Sequence, residues 1–196
     1  MCPKVFAKKT ELTKAEKETR ENMRTQWVLK QKFEHVLAAL TYENQLVMRV
    51  CLATGLRLGD VLNMRTKQLE ATSFTIKEQK TGKRRTIRLA ELLKDELVGN
   101  AGKLYVFEHR LNNRRARTRQ AVWKDVKRAA KLFRISENLA PHSARKVYAV
   151  DALRKYGDLR KVRQIMNHRD EAVTQLYCLA DILTERELKR KRGGKK

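Results

Sequence analysis

The segment from Pro141 to Tyr177 contains the residues that most restrict how this chain folds. His142 and Arg145 are three residues apart, so a helix would place them on one face. His168 and Tyr177 follow, separated by a run suited to a short helix. A guanidinium, two imidazoles and a phenol are the groups that attack on a phosphodiester needs, because they neutralise charge, relay protons and supply a nucleophile. The segment therefore predicts helices that hold these groups around one pocket.

Each of these residues also has an ordinary structural interpretation. A histidine near a helix start is commonly a cap or a surface residue, and a tyrosine in an amphipathic segment commonly lies at the edge of the core. Arg57, just after a Thr-Gly pair, is equally compatible with a salt bridge to Asp60. Lys80 is compatible with being one of many surface lysines.

Charge is the strongest compositional feature of the chain. Lysine and arginine together number 46 against 22 aspartates and glutamates, which gives a formal net charge of +24. Such an excess attracts polyanions, and nucleic acid is the commonest polyanion in a cell. An acidic membrane surface fits less well, because no basic segment carries a large Trp- or Phe-rich apolar face. Charge therefore favours a nucleic-acid partner but does not separate an enzyme from a passive binder.

The remaining composition argues against several other classes. A chain of 196 residues, 41% of them hydrophobic, suffices for one globular core. No apolar run approaches the roughly 18 residues that a membrane crossing needs. The N-terminus lacks the apolar centre of a signal peptide, which predicts a soluble intracellular protein. Cys2, Cys51 and Cys178 form no CxxC pair, which argues against a disulfide framework and a zinc site.

Helical periodicity dominates the chain. Apolar residues recur at three- and four-residue spacing in several segments, and residues 46–53 are apolar almost all round, as in a buried helix. Thr54-Gly55 ends that helix, since glycine supplies the backbone freedom for a C-terminal turn. Helices are predicted at 27–40, 46–53, 90–98, 122–133, 144–153, 159–166, 170–177 and 179–188.

A β-hairpin is predicted where the period changes to two. Phe74 and Ile76 alternate with polar residues, as do Ile87 and Leu89 further on. The connection between them contains a Thr-Gly turn signal and several lysines and arginines. This pattern is typical of a hairpin with a basic tip, and Lys80 falls where the first strand enters the turn.

Other segments carry little apolar pattern. Residues 1–24 are rich in Lys, Glu, Thr and Arg and are interpreted as a solvated arm or linker. Residues 104–107 are a candidate short strand, and residues 109–119 are a basic loop that either contacts phosphates or is simply solvated. The C-terminal KRKRGGKK is too polar and too rich in glycine to fold alone.

Four motifs occur in an order that resembles one enzyme family. They are Thr54-Gly55-Leu56-Arg57 followed by Asp60, then Lys80-Thr81-Gly82-Lys83, then Pro141-His142-Ser143-Ala144-Arg145, and finally His168 with Thr174-Gln175-Leu176-Tyr177. Each motif alone is a weak signal. Together and in this order they resemble the catalytic domain of the tyrosine recombinases, the phage integrase family, over roughly residues 27–181.

The resemblance implies a fold and a domain division. The expected fold is mainly α with a small antiparallel β-hairpin or sheet, an α+β class. The expected division is a basic N-terminal arm or linker remnant at 1–24, the catalytic domain at 25–183, and a helix end with a basic tail at 184–196. Family members usually carry an N-terminal helical domain that clamps the other face of the DNA. Residues 1–26 are too few for it, so a catalytic-domain fragment and a naturally short member are both open.

The resemblance also implies a reaction. Tyr177 would attack the scissile phosphate of duplex DNA, giving a 3′-phosphotyrosine intermediate and a free 5′-hydroxyl. The covalent intermediate stores the bond energy, so neither metal nor ATP is needed. Arg57 and Arg145 would hold the non-bridging oxygens, because the planar guanidinium matches phosphate geometry.

The same resemblance assigns the proton-transfer roles. Lys80, at the hairpin tip, would protonate the departing 5′-oxygen. His142 and His168 would assist proton transfer and bond the phosphate, which suits the near-neutral pKa of histidine. Asp60 is interpreted as a residue that orients Arg57, since a carboxylate beside a phosphate would otherwise repel it.

Basic residues outside the catalytic set are expected to contact phosphates without reading sequence. This set is Lys83, Arg84, Arg85, Arg114, Arg115, Arg117, Arg119 and Lys146. The implied partner is double-stranded DNA, with a homotetramer on two DNA sites and a monomer in the absence of DNA. No cofactor, metal ion or membrane is expected. The implied location is cytoplasmic and nucleoid-associated, in a bacterial, archaeal or phage-infected host cell.

Three positions depart from the family pattern. Met166-Asn167 replaces the usual Leu-Gly before the second histidine, which allows a slight shift of the His168 backbone. Lys146 occupies a position often held by His, and Val173 one often held by Thr. None of these changes removes a chemical group that the reaction needs.

Two alternative functions are compatible with the residues. A type IB topoisomerase uses a similar set and would relax supercoils without exchanging partners, although motif order and chain length favour a recombinase. A catalytically silent DNA-binding regulator could share the fold, but the intact set of candidate catalytic residues argues against it.

Overall fold

Most apolar stripes of the sequence lie in helices that pack on one another. The structure is a computed structural model and describes residues 28–167. Its α-helices are α1 (Lys30–Ala38), α2 (Tyr42–Thr54), α3 (Leu58–Leu62), α4 (Glu91–Asn100), α5 (Arg119–Leu132), α6 (Pro141–Tyr156) and α7 (Leu159–Met166). The prediction of a mainly helical fold with small antiparallel sheets is confirmed.

The predicted β-hairpin is present. β1 (Phe74–Lys77) pairs antiparallel with β2 (Arg84–Ile87), and Ile76 lies opposite Arg85. The inward-facing positions of β1 are buried and the alternate positions are exposed, as the alternating pattern predicts. A 3₁₀ turn, Thr66–Leu69, lies between α3 and this hairpin.

A second hairpin occupies most of the segment predicted as a basic loop at 109–119. β3 (Glu108–His109) pairs antiparallel with β4 (Asn112–Ala116). The side chains of these strands are exposed or half-buried, so the sequence carries no apolar alternation that would have indicated strands. The candidate strand at 104–107 contributes an isolated bridge through Tyr105 instead.

The core lies around α2, as its all-round apolar sequence predicts. The buried apolar residues of α2 are Leu46, Val47, Met48, Val50 and Cys51. α6 packs against α2 and adds Ala144 and Val147 to the same cluster. α7 packs on α6 through a second cluster, made of Ala149, Ala152, Val162 and Met166. Packing against both α2 and α7 therefore fixes the position of α6, and the candidate site lies at the start of this helix.

The C-terminal ends of α4 and α5 differ from the sequence predictions. α4 continues through Gly99 and Asn100, where a stop was predicted. The side chain of Asn100 donates to the Glu96 carbonyl at 2.7 Å, which satisfies one carbonyl at the end of the helix. Phe133, predicted on the apolar stripe of α5, follows the end of that helix and is 44% exposed.

Candidate active site

The turn after α2 sets the position of the first candidate arginine. Gly55 has a φ of +64°, and a Cβ built there would lie 2.2 Å from the Tyr148 ring. Both the backbone conformation and the packing therefore require glycine, and the prediction that Gly55 ends the helix is confirmed. Arg57 occupies the N-cap position of α3 directly after this turn.

Arg145 is buried at the centre of the fold, with 2% of its surface exposed. Its Nη1 donates to the Gly55 carbonyl and its Nη2 donates to the Met166 carbonyl. Burial, followed by the charge of Arg57, lowers the pKa of Arg145 to about 10, which leaves it protonated at neutral pH. One guanidinium thus ties the turn after α2 to the end of α7 and stays charged.

The carboxylate that pairs with Arg57 is Glu78. Nη1 of Arg57 forms an ion pair with Oε2 of Glu78, which is fully buried at the end of β1. The Thr81 hydroxyl donates to the same oxygen at 3.0 Å, and the Asn167 amide donates to Oε1 at 3.0 Å. Burial raises the pKa of Glu78, but these hydrogen bonds and the Arg57 charge outweigh burial, so the net pKa is lowered.

Sequence reasoning missed Glu78. The signal available was its position two residues after Ile76, which continues the inward-facing alternation of β1 one residue beyond the end of that strand. A charged residue at an inward position needs a partner. That partner, Arg57, is 21 residues away along the chain.

Asp60 holds the hairpin turn. Its Oδ1 accepts a hydrogen bond from the backbone N–H of Gln79 at 2.9 Å. Within residues 28–167 its Oδ2 is buried without a hydrogen-bond partner, and burial raises the pKa of Asp60. The alternative of an Arg57–Asp60 salt bridge is wrong, because Arg57 pairs with Glu78. The interpretation of Asp60 as the residue that orients Arg57 stays a prediction.

Lys80 lies in the exposed turn between β1 and β2. The turn is closed by a hydrogen bond from the Glu78 N–H to the Lys83 carbonyl at 2.9 Å. The Gly82 N–H returns to the Glu78 carbonyl at 2.8 Å, with Gly82 at a φ of +68°. The tip is therefore a defined turn that carries an exposed ammonium group.

His142 is the second residue of α6, and it is exposed to solvent. Protein atoms around the ring displace part of its hydration although the residue is exposed, and this loss of hydration lowers the pKa of His142 to about 4. Four cationic side chains add to this effect: Arg145, Lys146, Arg57 and Lys80. The residue is therefore neutral at neutral pH in the free protein, and it lies within the electrostatic reach of the other described candidates.

Four of the six candidate catalytic residues lie within the described part of the chain: Arg57, Lys80, His142 and Arg145. Arg145 bonds the turn before Arg57, and Arg57 pairs with Glu78 beside the turn that carries Lys80. The charges of Arg57, Lys80 and Arg145 all lower the pKa of His142. His168 and Tyr177 lie outside the described residues, which end at Asn167. Among residues 28–167 no group of His, Cys, Asp or Glu is arranged to hold a metal ion, and no helix has the length and apolarity of a membrane crossing.

The candidate phosphate-contacting residues differ in exposure. Those with exposed side chains are Lys83, Arg84, Arg114, Arg115 and Arg119. Arg119 also lines a groove of about 460 Å³ together with His142 and Trp123. Lys146 is half-buried. Arg117 is also half-buried, and its Nε donates to Asn44 at 2.7 Å.

Arg85 is half-buried and bonds the protein backbone, and its predicted phosphate contact stays a prediction. It shares the inner face of β2 with Ile87, because successive side chains of a strand alternate. Its Nη2 donates to the Thr54 carbonyl, and its guanidinium lies 5.9 Å from the centre of the Tyr148 ring. Among the described residues its Nη1 has no hydrogen-bond partner. The half-buried Arg85 therefore secures the turn after α2.

Replacing Arg85 with methionine should destabilise the fold, whereas Arg84→Met should not. Loss of a charged hydrogen bond to the Thr54 carbonyl is expected to cost about 1–3 kcal/mol, while Arg84 is exposed on the other face of β2. Urea unfolding of the two variants measures this difference. Equal free energies of unfolding for both variants would contradict the inward role of Arg85.

Comparisons with known sequences identify relatives. A family model described as the Phage integrase family matches residues 26–182. The tyrosine recombinase XerD of Halalkalibacterium halodurans is 28% identical over 144 residues, which cover 68% of this chain and 48% of that protein. XerD of Listeria monocytogenes serotype 4b is 30% identical over 149 residues, covering 70% and 50%. The chain spans about half the length of the curated relatives it matches.

Solved structures show a similar fold. A lambda integrase dimer bound to a COC′ core site superposes with a TM-score of 0.68 at 17% identity, covering 79% of this chain and 48% of that chain. XerA recombinase gives a TM-score of 0.62 at 22% identity, covering 83% and 66%. The family match extends over most of the chain and this fold agrees with it. The chain therefore belongs to the phage integrase family, the tyrosine recombinases.

Proposed function

We propose that this chain is the catalytic part of a site-specific DNA recombinase that breaks and rejoins duplex DNA through a 3′-phosphotyrosine intermediate at Tyr177. The observation that carries the proposal is the set of contacts that link the segments of three candidates. Arg145 donates to the carbonyl of Gly55, two residues before Arg57, and Arg57 pairs with Glu78, two residues before Lys80. Relatives of about 28–30% identity are tyrosine recombinases XerD. The family match over residues 26–182 also supports a catalytic domain at 25–183.

The proposed reaction divides the work among these groups. Arg57 and Arg145 neutralise the non-bridging oxygens, where charge increases in the transition state. The Tyr177 oxygen bonds to phosphorus as the bond to the 5′-oxygen breaks. The Tyr177 proton passes to a histidine, and Lys80 gives a proton to the departing 5′-oxygen, so both proton transfers balance.

The proposed partner is double-stranded DNA. The net charge of +24 supports a polyanionic partner. Lambda integrase has been solved as a dimer on a core site and as a tetramer on a Holliday junction. We extend the proposal to a homotetramer on two DNA sites, formed from a protein that is monomeric without DNA, and to a nucleoid-associated location in the cytoplasm. The match to the Phage integrase family favours this function over supercoil relaxation and over a silent regulator.

The direct test is covalent trapping on nicked duplexes that carry candidate sites. A nick just downstream of the scissile phosphate lets a short 5′-hydroxyl fragment diffuse away, so the intermediate accumulates. The proposal predicts a protein–DNA band on a denaturing gel without added metal or ATP. Absence of this band with every candidate duplex, from protein shown to bind the same DNA, would contradict strand cleavage.

His142 should titrate far below the usual histidine range in the free protein. Its pKa is about 4, whereas an unfolded histidine titrates near about 6.5. The unfolded chain therefore takes up a proton first, and stability should fall as the pH is lowered from about 6.5 towards 4. A bound DNA phosphate should raise the pKa by offsetting the neighbouring cations.

NMR titration of the imidazole protons measures this shift, with His142→Asn identifying the signal. The same variant should show a weaker loss of thermal stability between about pH 6.5 and 4. A His142 midpoint near 6.5 in the DNA-free protein would contradict the crowded cationic setting.

A further inference from the structure

Glu78 lies at the centre of the candidate site, where the catalytic scheme gives it no role. Its three side-chain partners belong to three segments that are far apart in sequence. Arg57 comes from the start of α3, Thr81 from the turn that carries Lys80, and Asn167 from the end of α7. One buried carboxylate thus joins the elements that carry several candidate catalytic groups.

Without a partner, a buried carboxylate at this position would weaken phosphate binding. Its charge repels a phosphate at the same guanidinium, and burial of an unpaired charge is costly. The ion pair with Arg57 offsets both effects. A guanidinium has five N–H donors, so a bond from Nη1 to Glu78 leaves others to face a phosphate. This arrangement fixes the orientation of the Arg57 guanidinium and leaves N–H groups available to bind a phosphate.

The contact with Asn167 holds the other carboxylate oxygen of Glu78, Oε1. Asn167 has a φ of +50°, a left-handed conformation that asparagine adopts more readily than most residues. Its side-chain amide donates to Glu78 across 89 positions of sequence. The next residue in the chain is His168. The backbone that leads into the second candidate histidine is therefore tied to the hairpin that carries Lys80.

We propose that Glu78 is a positioning residue for strand cleavage, which holds the Arg57 guanidinium, the Lys80 turn and Asn167 in one fixed arrangement. This inference rests on the proposed recombinase function. Glu78 itself does not exchange a proton with DNA in the scheme, because its pKa is lowered and it stays ionised at neutral pH. Its effect is on geometry, and misplacement by about 1 Å can slow a reaction by about 100-fold.

The first variant is Glu78→Gln, which preserves shape and removes the charge. Single-turnover trapping on a nicked duplex gives both a rate constant and a final amplitude. We expect the rate constant to fall about 10- to 100-fold, with the dissociation constant for DNA within about threefold of wild type. The amplitude should stay close to wild type. A purely structural role would instead reduce the amplitude through loss of folded protein and leave the rate constant unchanged.

Asn167 offers a matched pair of variants. Glycine and aspartate both tolerate the left-handed backbone, but Asn167→Gly deletes the amide while Asn167→Asp replaces it with a second carboxylate facing Glu78. We expect Asn167→Asp to be slower than Asn167→Gly. The double variant Glu78→Gln/Asn167→Asp restores a donor and an acceptor in exchanged positions, so it should react faster than Asn167→Asp alone.

The outcomes separate this inference from the function on which it rests. Wild-type protein that forms no covalent adduct contradicts the recombinase function and the inference with it. Wild-type protein that forms the adduct, with Glu78→Gln and Asn167→Asp both within about twofold of its rate constant, leaves the function standing and overturns the positioning role. Slower variants with rescue in the double variant support it.

Discussion

Replacing Arg145 with alanine should both stop DNA cleavage and weaken the fold. The side chain is buried, and it donates to the carbonyls of Gly55 and Met166. Charged hydrogen bonds contribute about 1.5–3 kcal/mol each, so we expect a loss of about 3 kcal/mol or more. Loss of its charge from the transition state should slow cleavage by about 10²–10³-fold in molecules that still fold.

Two measurements separate the effects at Arg145. Urea unfolding gives the change in stability, and single-turnover trapping at low temperature gives the rate constant of the folded fraction. Arg145→Lys keeps the charge but lacks the planar fork, so it should recover part of the stability and little of the rate. Lys155→Ala, an exposed change on the same helix, should alter neither. Wild-type stability in Arg145→Ala would contradict the buried role.

The second large effect is expected at Tyr177. Replacing it with phenylalanine removes only the phenolic oxygen, which is the proposed nucleophile, so adduct formation should fall to background. DNA affinity should stay within about threefold, because the ring and the basic surface remain. Tyr156→Phe is the matched control, because Tyr156 is partly exposed on α6. The Tyr156→Phe protein should cleave DNA at the wild-type rate. A covalent adduct with Tyr177→Phe would show that another residue attacks.

Features with local causes could be predicted from the sequence. The extent of α7 at 159–166 and the end of α2 at Gly55 follow from apolar spacing and a glycine stop. The first hairpin follows from alternation over Phe74 to Ile87. In each case the signal lies within a few residues of the element that it specifies.

Features that depend on a distant partner were not accessible in this way. The second hairpin has no apolar alternation, since its strands expose most of their side chains. Arg85 is two residues from the apolar Ile87 on the same strand, so its inward direction could have been inferred from the sequence. The carbonyl of Thr54 as its hydrogen-bond acceptor could not have been inferred. The pairing of Arg57 with Glu78 rather than Asp60 is decided by where the folded hairpin lies against α3. Choice among several carboxylates is a tertiary property that sequence spacing does not encode.

The candidate site shows the same division. The motif order grouped Arg57, Lys80, His142 and Arg145 by resemblance, and contacts in the structure link the segments that carry Arg57, Lys80 and Arg145. Glu78 was absent from that group because no motif includes it and its partners are contributed by three segments. Residues that position others are found from contacts, whereas the groups that they position are found from pattern.

The proposed reaction joins this chain to DNA through Tyr177. The most direct measurement is to trap the adduct on a nicked duplex, digest it with trypsin and nuclease, and identify the modified peptide by mass spectrometry. We expect a nucleotide 3′-phosphate on Tyr177, within the tryptic peptide 170–186. A modification on any other residue, or a link through a 5′-phosphate, would contradict it.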